Sequence, residues 1–537
     1  MLTLLATAKA YINFARELRG FLRNPITVDD ARAIIANQLQ NREENFLKTL
    51  QTNVFDHPPS PYRRLFDAAN ITHTDVARMV GQAGLEPTLN ELCDAGIYVT
   101  FEEIKGRTSV KRGDMEFTVN AADFNSPHPR PIAIGTSGGS TGTPAQSRLN
   151  LVHVGQQSIR SLLGYAMYGV ADVPAASWRG LFPETDGVSI VLQLAYNGRT
   201  LEHWFSSIPF FDRSPRMVFY HTMSYLMVVL ARLYGLRVPF PQYVPLDDPL
   251  PVAQWAAQRV QQEGACLLRT LVSKGVRISK AAQENDIDLT GCTIWGGGEP
   301  PTPAKIAAIE ASGAKYIPHF SFSEGGIVGI VCGNPATPDD LHFMASHFAM
   351  LQRPITVFDQ QIEAFYLTTL FPHTPATLIN AQSDDFGIVE TRDCGCMLGE
   401  MGLNVHMRNV RSYRKLTGEG TTLVGSDMAH IIESVMPARF GGGPLDYQLV
   451  EEEDAQGFTK LVLYVDPSVQ LESESDVAEA FLEEMQRSMP ATRIAATEYR
   501  QVDVIQVRRE KPFVTSRGKQ FPIRTLYQQK KPKADDS

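Results

Sequence analysis

The chain has 537 residues, of which 43% are apolar, 9% aromatic and 20% charged, with 59 acidic side chains against 50 basic ones. At about 150 residues per unit this is room for three or four domain-sized pieces around buried cores, which excludes wholesale disorder. A formal charge of −9 argues against a nucleic-acid binder, and six cysteines read as reduced thiols of a cytoplasmic protein, not as a disulfide framework.

The first ten residues, M-L-T-L-L-A-T-A-K-A, put apolar residues before the first charge, the reverse of a secretory signal, and read as a helix that packs on the protein. Residues 1 to about 90 read as helical. Val28-Asp29-Asp30 opens one helix, Ala33, Ile34, Ile35, Leu39 and Phe46 keep its spacing, and Pro58-Pro59-Ser60-Pro61 breaks the pattern.

From about 130, strand-like runs alternate with helical ones, an α/β pattern. The strand-like runs are Pro131–Ile134, Arg148–Val154, Ser189–Leu194, Thr293–Trp295, Ile327–Cys332 and Ile362–Thr368, and Gln156–Tyr168 reads as a helix. The most apolar stretch, Met223–Leu236, contains Arg232 and is shorter than the ~20 residues of a membrane span, so no membrane is expected.

Gly418–Thr422 is polar and glycine-rich and reads as a hinge. Beyond it come a helix over Ala429–Val435, strands over Asp446–Glu451 and Lys460–Val465, a helix over Asp476–Ser488 and a strand over Val502–Val507. The expected division is a large domain over 1–417, a small mobile α+β domain over 418–527, and a disordered tail over 528–537.

The strongest motif is Thr136-Ser137-Gly138-Gly139-Ser140-Thr141-Gly142-Thr143-Pro144, after an expected strand. Glycines let backbone N–H groups converge on one point and hydroxyls add donors, which suits a polyphosphate. It lacks the Gly-Lys-Ser/Thr of a Walker loop. Gly138–Gly142 also fits G-x-S-x-G, the elbow that would make Ser140 the nucleophile of a serine hydrolase. That elbow needs a helix directly after the serine, and Pro144 and a strand-like run follow instead.

This loop resembles the phosphate loop of the adenylate-forming superfamily, which includes the acyl-CoA synthetases. Later blocks follow in that family's order. Gly296-Gly297-Gly298-Glu299-Pro300 is similar to its adenine-side segment, and Phe320-Ser321-Phe322-Ser323-Glu324 to its aromatic motif. Asp393 resembles its ribose-binding aspartate, and Val514–Lys519 its C-terminal Gly-Lys motif. Ser60–Phe66 and Arg414-Lys415-Leu416-Thr417-Gly418 resemble the phenylacetate-CoA ligase branch. Ser321 stands where the family has glycine, and Glu419 where an arginine contacts the ribose, a role open to Arg411 or Arg414.

The resemblance implies an acid ligase that uses ATP and Mg²⁺ to form an acyl-adenylate, then passes the acyl group to CoA, an amine or a carrier thiol. Lys519 would neutralise charge at the α-phosphate, and Glu324, a hard oxygen donor, would hold the magnesium. The partners would be a small-molecule acid and ATP, with a monomer or homodimer as the working form.

A second signal is Cys394-Gly395-Cys396, with Cys332 and His342 upstream as C-x9-H. Together they offer a closed Cys₃His zinc site of structural type, as some members of the branch have. His347 is a rival ligand, and three buried thiols beside a surface histidine are the other reading. His319 and the aromatic-rich stretches His203–Phe211 and Phe219–Tyr225 are core or pocket residues by the same patterns.

Overall fold

The computed structural model describes residues 16–128, 133–136, 146–181, 184–208, 215–298, 301, 303–322, 324–357, 360–412, 415–418, 421–424, 428, 431–443, 446–454, 459–487, 496–497, 499–502, 504–513 and 522–524. The N-terminal part is helical as its spacing predicts, with helices Val28–Gln40, Arg42–Leu50, Pro61–Ala68, His73–Ala83 and Leu85–Asp94. Thr27 and Thr72 each open a helix with a capping box closed by Asp30 and Asp75. Pro61 sits in the first turn of its helix, where its missing N–H costs nothing. These helices bury Phe46, Leu50, Tyr62 and Phe66 in one core with Ala364, Leu370 and Ala381, more than 280 residues further along the chain.

After a short hairpin, β1 (Val110–Arg112) and β2 (Met115–Phe117), the chain forms a second one from β3 (Ala133–Thr136) and β4 (Gln146–Leu149). The long helix Leu151–Met167 starts two residues after β4, capped by Asn150. Of the expected strand Arg148–Val154, therefore, only the first residues are strand.

The body is one twelve-stranded sheet in two halves. The parallel half holds β5 (Ala175–Trp178), β6 (Leu201–Ser206), β7 (Pro241–Tyr243), β8 (Cys266–Leu271), β9 (Cys292–Gly297) and β10 (Lys315–Phe322). The antiparallel half continues from β10 with β11 (Gly326–Val331), β12 (Leu341–Phe343), β13 (Phe348–Val357), β14 (Gln360–Thr369), β15 (Ala381–Thr391) and β16 (Val405–Ser412). The order across the sheet is β13-β14-β15-β16-β12-β11-β10-β9-β8-β5-β6-β7. The parallel strands progress outward in both directions from the β5–β8 pair, which makes that pair a topological switch point.

One expected strand is a helix. Ser189–Leu194 lies inside the helix Asp186–Tyr196, whose residues from Gly187 to Ala195 are all buried. A helix enclosed on every side has no polar face, so its sequence reads like a buried strand. In the C-terminal part, Ile431–Val435 and Met436–Phe440 are both helical, so that helix runs further than Val435.

Beyond β16 a small hairpin, β17 (Lys415–Gly418) and β18 (Thr421–Val424), leads to a separate four-stranded sheet. Its strands are β19 (Tyr447–Glu453), β20 (Thr459–Val465), β21 (Ile505–Arg508) and β22 (Ile523–Arg524), in the order β21-β20-β19-β22. The helix Glu474–Arg487 packs Phe481 and Met485 onto Leu449, Leu461 and Leu463. Bonds between this unit and the large one include Leu246 N–H to Gln501 Oε1 (2.9 Å), Gln501 Nε2 to Ser207 O (3.5 Å) and Lys305 Nζ to Thr459 Oγ1 (3.0 Å). Among the described residues, no helix is long and apolar enough to cross a membrane.

Candidate active site and metal centre

In an open parallel sheet, ligands settle beyond the carboxyl ends of the strands at the switch point. Here the carboxyl ends of β5 and β8 are edged by buried cations. Arg179, directly after β5 and 7% exposed, donates from Nη2 to Thr270 O (2.9 Å) of β8. Lys274, in the first turn after β8 and 2% exposed, donates to Ser207 Oγ (2.8 Å) beyond β6. Gly298, at the end of β9, has φ +85°, and a Cβ there would lie 2.7 Å from Leu271 Cδ2. Gly296 and Gly297 are pressed as closely by Tyr316 and the His319 ring. Packing alone therefore demands this glycine run. Glu299 and Pro300 lie outside the described residues.

Phe320, Ser321 and Phe322 end β10, and Glu324 stands in the turn to β11; Ser323 lies outside the described residues. Glu324 is ion-paired with Lys105 (2.9 Å), and its carbonyl accepts the Ala376 N–H (3.2 Å). Lys105 caps the short helix Phe101–Ile104, so the N-terminal region supplies the cation that holds the motif's glutamate. His319 is stacked on Trp295 (5.5 Å) and held well below the usual histidine range by burial and then by Arg269 and Arg179. It is a neutral, packed ring.

Thr136 ends β3 and Gln146 opens β4, and these two strands pair antiparallel. Ser137, Gly138, Gly139, Ser140, Thr141 and Gly142 lie outside the described residues. So do Arg414 and Lys519, although the chain on both sides of Lys519 is pinned to β19. Phe513 exchanges two hydrogen bonds with Gln448, and Pro522 O accepts the Leu449 N–H. Arg411 is half-buried, and burial lowers its basicity.

Asp393 is exposed and belongs to the cysteine loop, where its Oδ1 accepts the Gly395 N–H (3.2 Å). A second aspartate that the sequence did not single out, Asp384 on β15, is 2% exposed and accepts the Ser412 hydroxyl (3.0 Å).

The two halves of the cysteine motif do meet. The ligand atoms of Cys332, His342, Cys394 and His406 all lie within 4.8 Å of one another, and Cys396 Sγ is 3.1 Å from His342 Nε2. Cys394 Sγ is 3.6 Å from the same nitrogen. A tetrahedral zinc with thiolate and imidazole ligands sets S···N separations of about 3.5 Å, so the spacing fits. Both imidazoles are oriented from behind. His342 Nδ1–H donates to Leu403 O (2.6 Å), and His406 Nδ1 bonds Asp340 Oδ1 (2.8 Å), which is also paired with Arg392. His406 Nε2 is buried with no partner. A fixed tautomer with the other nitrogen bare is the arrangement of a metal-ligating histidine.

Burial lowers His342 to about 4, which keeps it neutral, and raises the Cys332 thiol to about 12. At Cys396 burial also raises the thiol, but N–H donors from Gly399 and Gly333 outweigh it and bring it below the usual range. His347 is elsewhere, bonded to Ser346 Oγ and Gln156 Oε1. His406 was invisible to spacing: it reaches the cluster because β12 and β16 pair His342 with His406.

No family model and no curated protein matches the sequence. The chain is similar to solved structures of ligases. A 2-hydroxyisobutyryl-CoA ligase in complex with 2-HIB-AMP and CoA has 14% identity and a TM-score of 0.49, with 94% of this chain and 92% of that one covered. An amide bond synthetase from Marinactinospora thermotolerans has 12% identity and a TM-score of 0.42, over 88% and 97%. An o-succinylbenzoate CoA synthetase from Bacillus subtilis has 9% identity and a TM-score of 0.40, over 72% and 67%. Likenesses this distant leave the functional assignment to the residues themselves.

Proposed function

We propose that the protein is an ATP-dependent, AMP-forming acid ligase. It would join an acid to the α-phosphate of ATP with loss of pyrophosphate, and pass the acyl group to CoA or to another nucleophile such as an amine. The observation that carries this reading is the pair of buried cations, Arg179 and Lys274, at the carboxyl end of the β5–β8 switch point, in the parallel half of the sheet that ends at Glu324. A polyanion is the ligand such a pair suits, and phosphoryl-group chemistry is promoted by cations and positioned donors without a covalent residue.

In this reading the Gly/Ser loop cradles the phosphates. Glu324, a carboxylate paired with Lys105, is the hard oxygen donor for a magnesium ion. The metal's contribution when bound is to neutralise phosphate charge. Asp393, from the resemblance, and Asp384, from its burial on β15, are the two candidates to accept from the ribose hydroxyls.

Residues 1–417 form the ATP- and acid-binding domain in this reading. Residues 418–527 form the domain that brings Lys519 to the α-phosphate. Cys332, His342 and Cys394, with Cys396 or His406 as the fourth ligand, hold a zinc ion of structural type. With β11 six residues long, that centre stands about 20 Å from the Glu324 turn, too far to touch the reacting atoms.

A serine-hydrolase elbow requires a strand-to-helix turn at Ser140. The next described segment after Thr136 is a strand, β4, and not a helix. The test is Ser140 itself. As one donor among several, Ser140→Ala lowers turnover only in part, and fluorophosphonate leaves the wild type unlabelled. Stoichiometric labelling of Ser140 would overturn the ligase reading.

A further inference from the structure

Three arginines are buried among the described residues, and they differ in one respect. Arg269 donates to Tyr165 OH (2.6 Å) and Gln193 Oε1 (2.9 Å), and Arg179 to Thr270 O and Asp186. Arg160, on the long helix, is 1% exposed, and among the described residues none of its three side-chain nitrogens has a hydrogen-bond partner. Burial pulls it down to about 9, and among the described residues no carboxylate offsets that, so it is a cation at neutral pH. An uncompensated buried charge is among the costliest features a fold can carry, unless an anion arrives to pair with it.

Its surroundings place it near the turn after Glu324 and the aromatic motif. His153, Gln157 and Arg160 fall on one face of the helix at spacings of four and three residues. That face lies under the turn after Glu324: a Cβ on Gly326 would be 2.8 Å from His153 Nε2 and 2.9 Å from Gln157 Cδ. The guanidinium carbon sits 5.9 Å from the Phe348 ring centroid, and Phe348 lies 6.0 Å from Phe322 of the aromatic motif. The polar neighbours do not neutralise it. His347 is committed to Ser346 and Gln156, and burial and then the Arg160 charge hold both His153 and His347 far below the usual histidine range. Two uncharged imidazoles and aromatic rings therefore surround one cation, an apolar setting with a single strong anion receptor.

We propose that Arg160 binds a second carboxylate on the acid substrate, so that the enzyme selects dicarboxylic acids and adenylates the end away from Arg160. The guanidinium fork matches a carboxylate with two parallel N–H···O bonds. This inference rests on the ligase reading. It goes beyond that reading in naming the class of acid and the residue that selects it.

The experiment is pyrophosphate exchange into ATP with chain-matched pairs of straight and aromatic mono- and dicarboxylic acids. It is run on wild type, Arg160→Met and Arg160→Lys, and in parallel the shift in melting temperature is measured with each acid alone. The wild type prefers a diacid over its matched monoacid by about 10–100-fold in kcat/KM, Arg160→Met loses that preference, and Arg160→Lys keeps part of it. The preferred diacid raises the melting temperature of the wild type and not that of Arg160→Met.

A monoacid as best substrate, or an unaltered preference in a folded Arg160→Met, overturns the proposal. Stabilisation by chloride or sulfate equal to that by any diacid makes Arg160 the seat of a resident inorganic anion and overturns it too. If Arg160→Met does not fold, the wild-type preference and Arg160→Lys decide. If no acid supports exchange, the ligase reading fails, and the melting shifts still decide whether Arg160 binds a dicarboxylate.

Discussion

The two ends of β11 are built on opposite plans. At the Cys332 end, Cys332, His342, Cys394, Cys396 and His406 converge from four segments on a single point, with Leu403 and Asp340 orienting both imidazoles. At the Glu324 end the charged groups are spread out. One glutamate held by Lys105 faces a region where Arg160, Arg179 and Lys274 are all buried. The first arrangement has the spacing to hold one small ion. The second gathers cations, of which Arg160 has no hydrogen-bond partner among the described residues.

That contrast is broken most severely at the convergent end. Cys394→Ser removes one ligand and leaves the others facing each other without an ion. The variant should lose most of the roughly one zinc per chain of the wild type, and stability on the order of 5 kcal/mol or more. Metal analysis and denaturant unfolding check both. Wild-type protein that is metal-free and equally stable would remove the centre from the account.

Next in size is Lys519, which the reading brings to the reacting phosphate from the small domain. Lys519→Ala should slow adenylate formation by about 10²–10³-fold and largely spare the conversion of a supplied acyl-adenylate to product. Single-turnover assays of the two half-reactions separate these. Equal losses in both would show that Lys519 has no step-specific role.

A smaller effect is expected at the open end. Glu324→Gln keeps the shape but removes the charge that pairs with Lys105, and should raise the KM for magnesium-ATP by about 10–100-fold. Lys105→Ala should move the same constant in the same direction and by less. An unchanged KM in both would place the magnesium elsewhere.

The mildest test uses pH. Burial, and then the Arg160 charge, lower His153 to about 3 from an ordinary value of 6.5. The unfolded chain therefore binds a proton that the folded chain refuses between those values. This contribution is intact above pH 6.5 and is lost as pH falls toward 3, with a slope of at most about 1.4 kcal/mol per pH unit. His153→Gln should flatten the acid limb of stability against pH, and an unchanged limb would show that His153 does not set it.

Much of this architecture was legible because its signals are local. The helix opening at Val28-Asp29-Asp30, the strands Thr293–Trp295 and Ile327–Cys332, and the Cys394-Gly395-Cys396 loop are each written within a few residues. What was missed depends on long-range pairing. Ser189–Leu194 hid its helix because tertiary burial erased the polar face. His406 reaches the cluster only through sheet register, 64 positions from His342. Lys105 meets Glu324 from 219 residues away. Arg160 carried no motif at all, since an arginine in a helix reads as surface until its burial is known.

Acid-dependent exchange of labelled pyrophosphate into ATP tests the central claim most directly, because exchange requires a reversibly formed adenylate. The account predicts exchange that needs magnesium and one class of acid, proceeds without CoA, and falls by about two orders of magnitude or more in Lys519→Ala. No exchange with any acid by well-folded, metal-replete protein would contradict it.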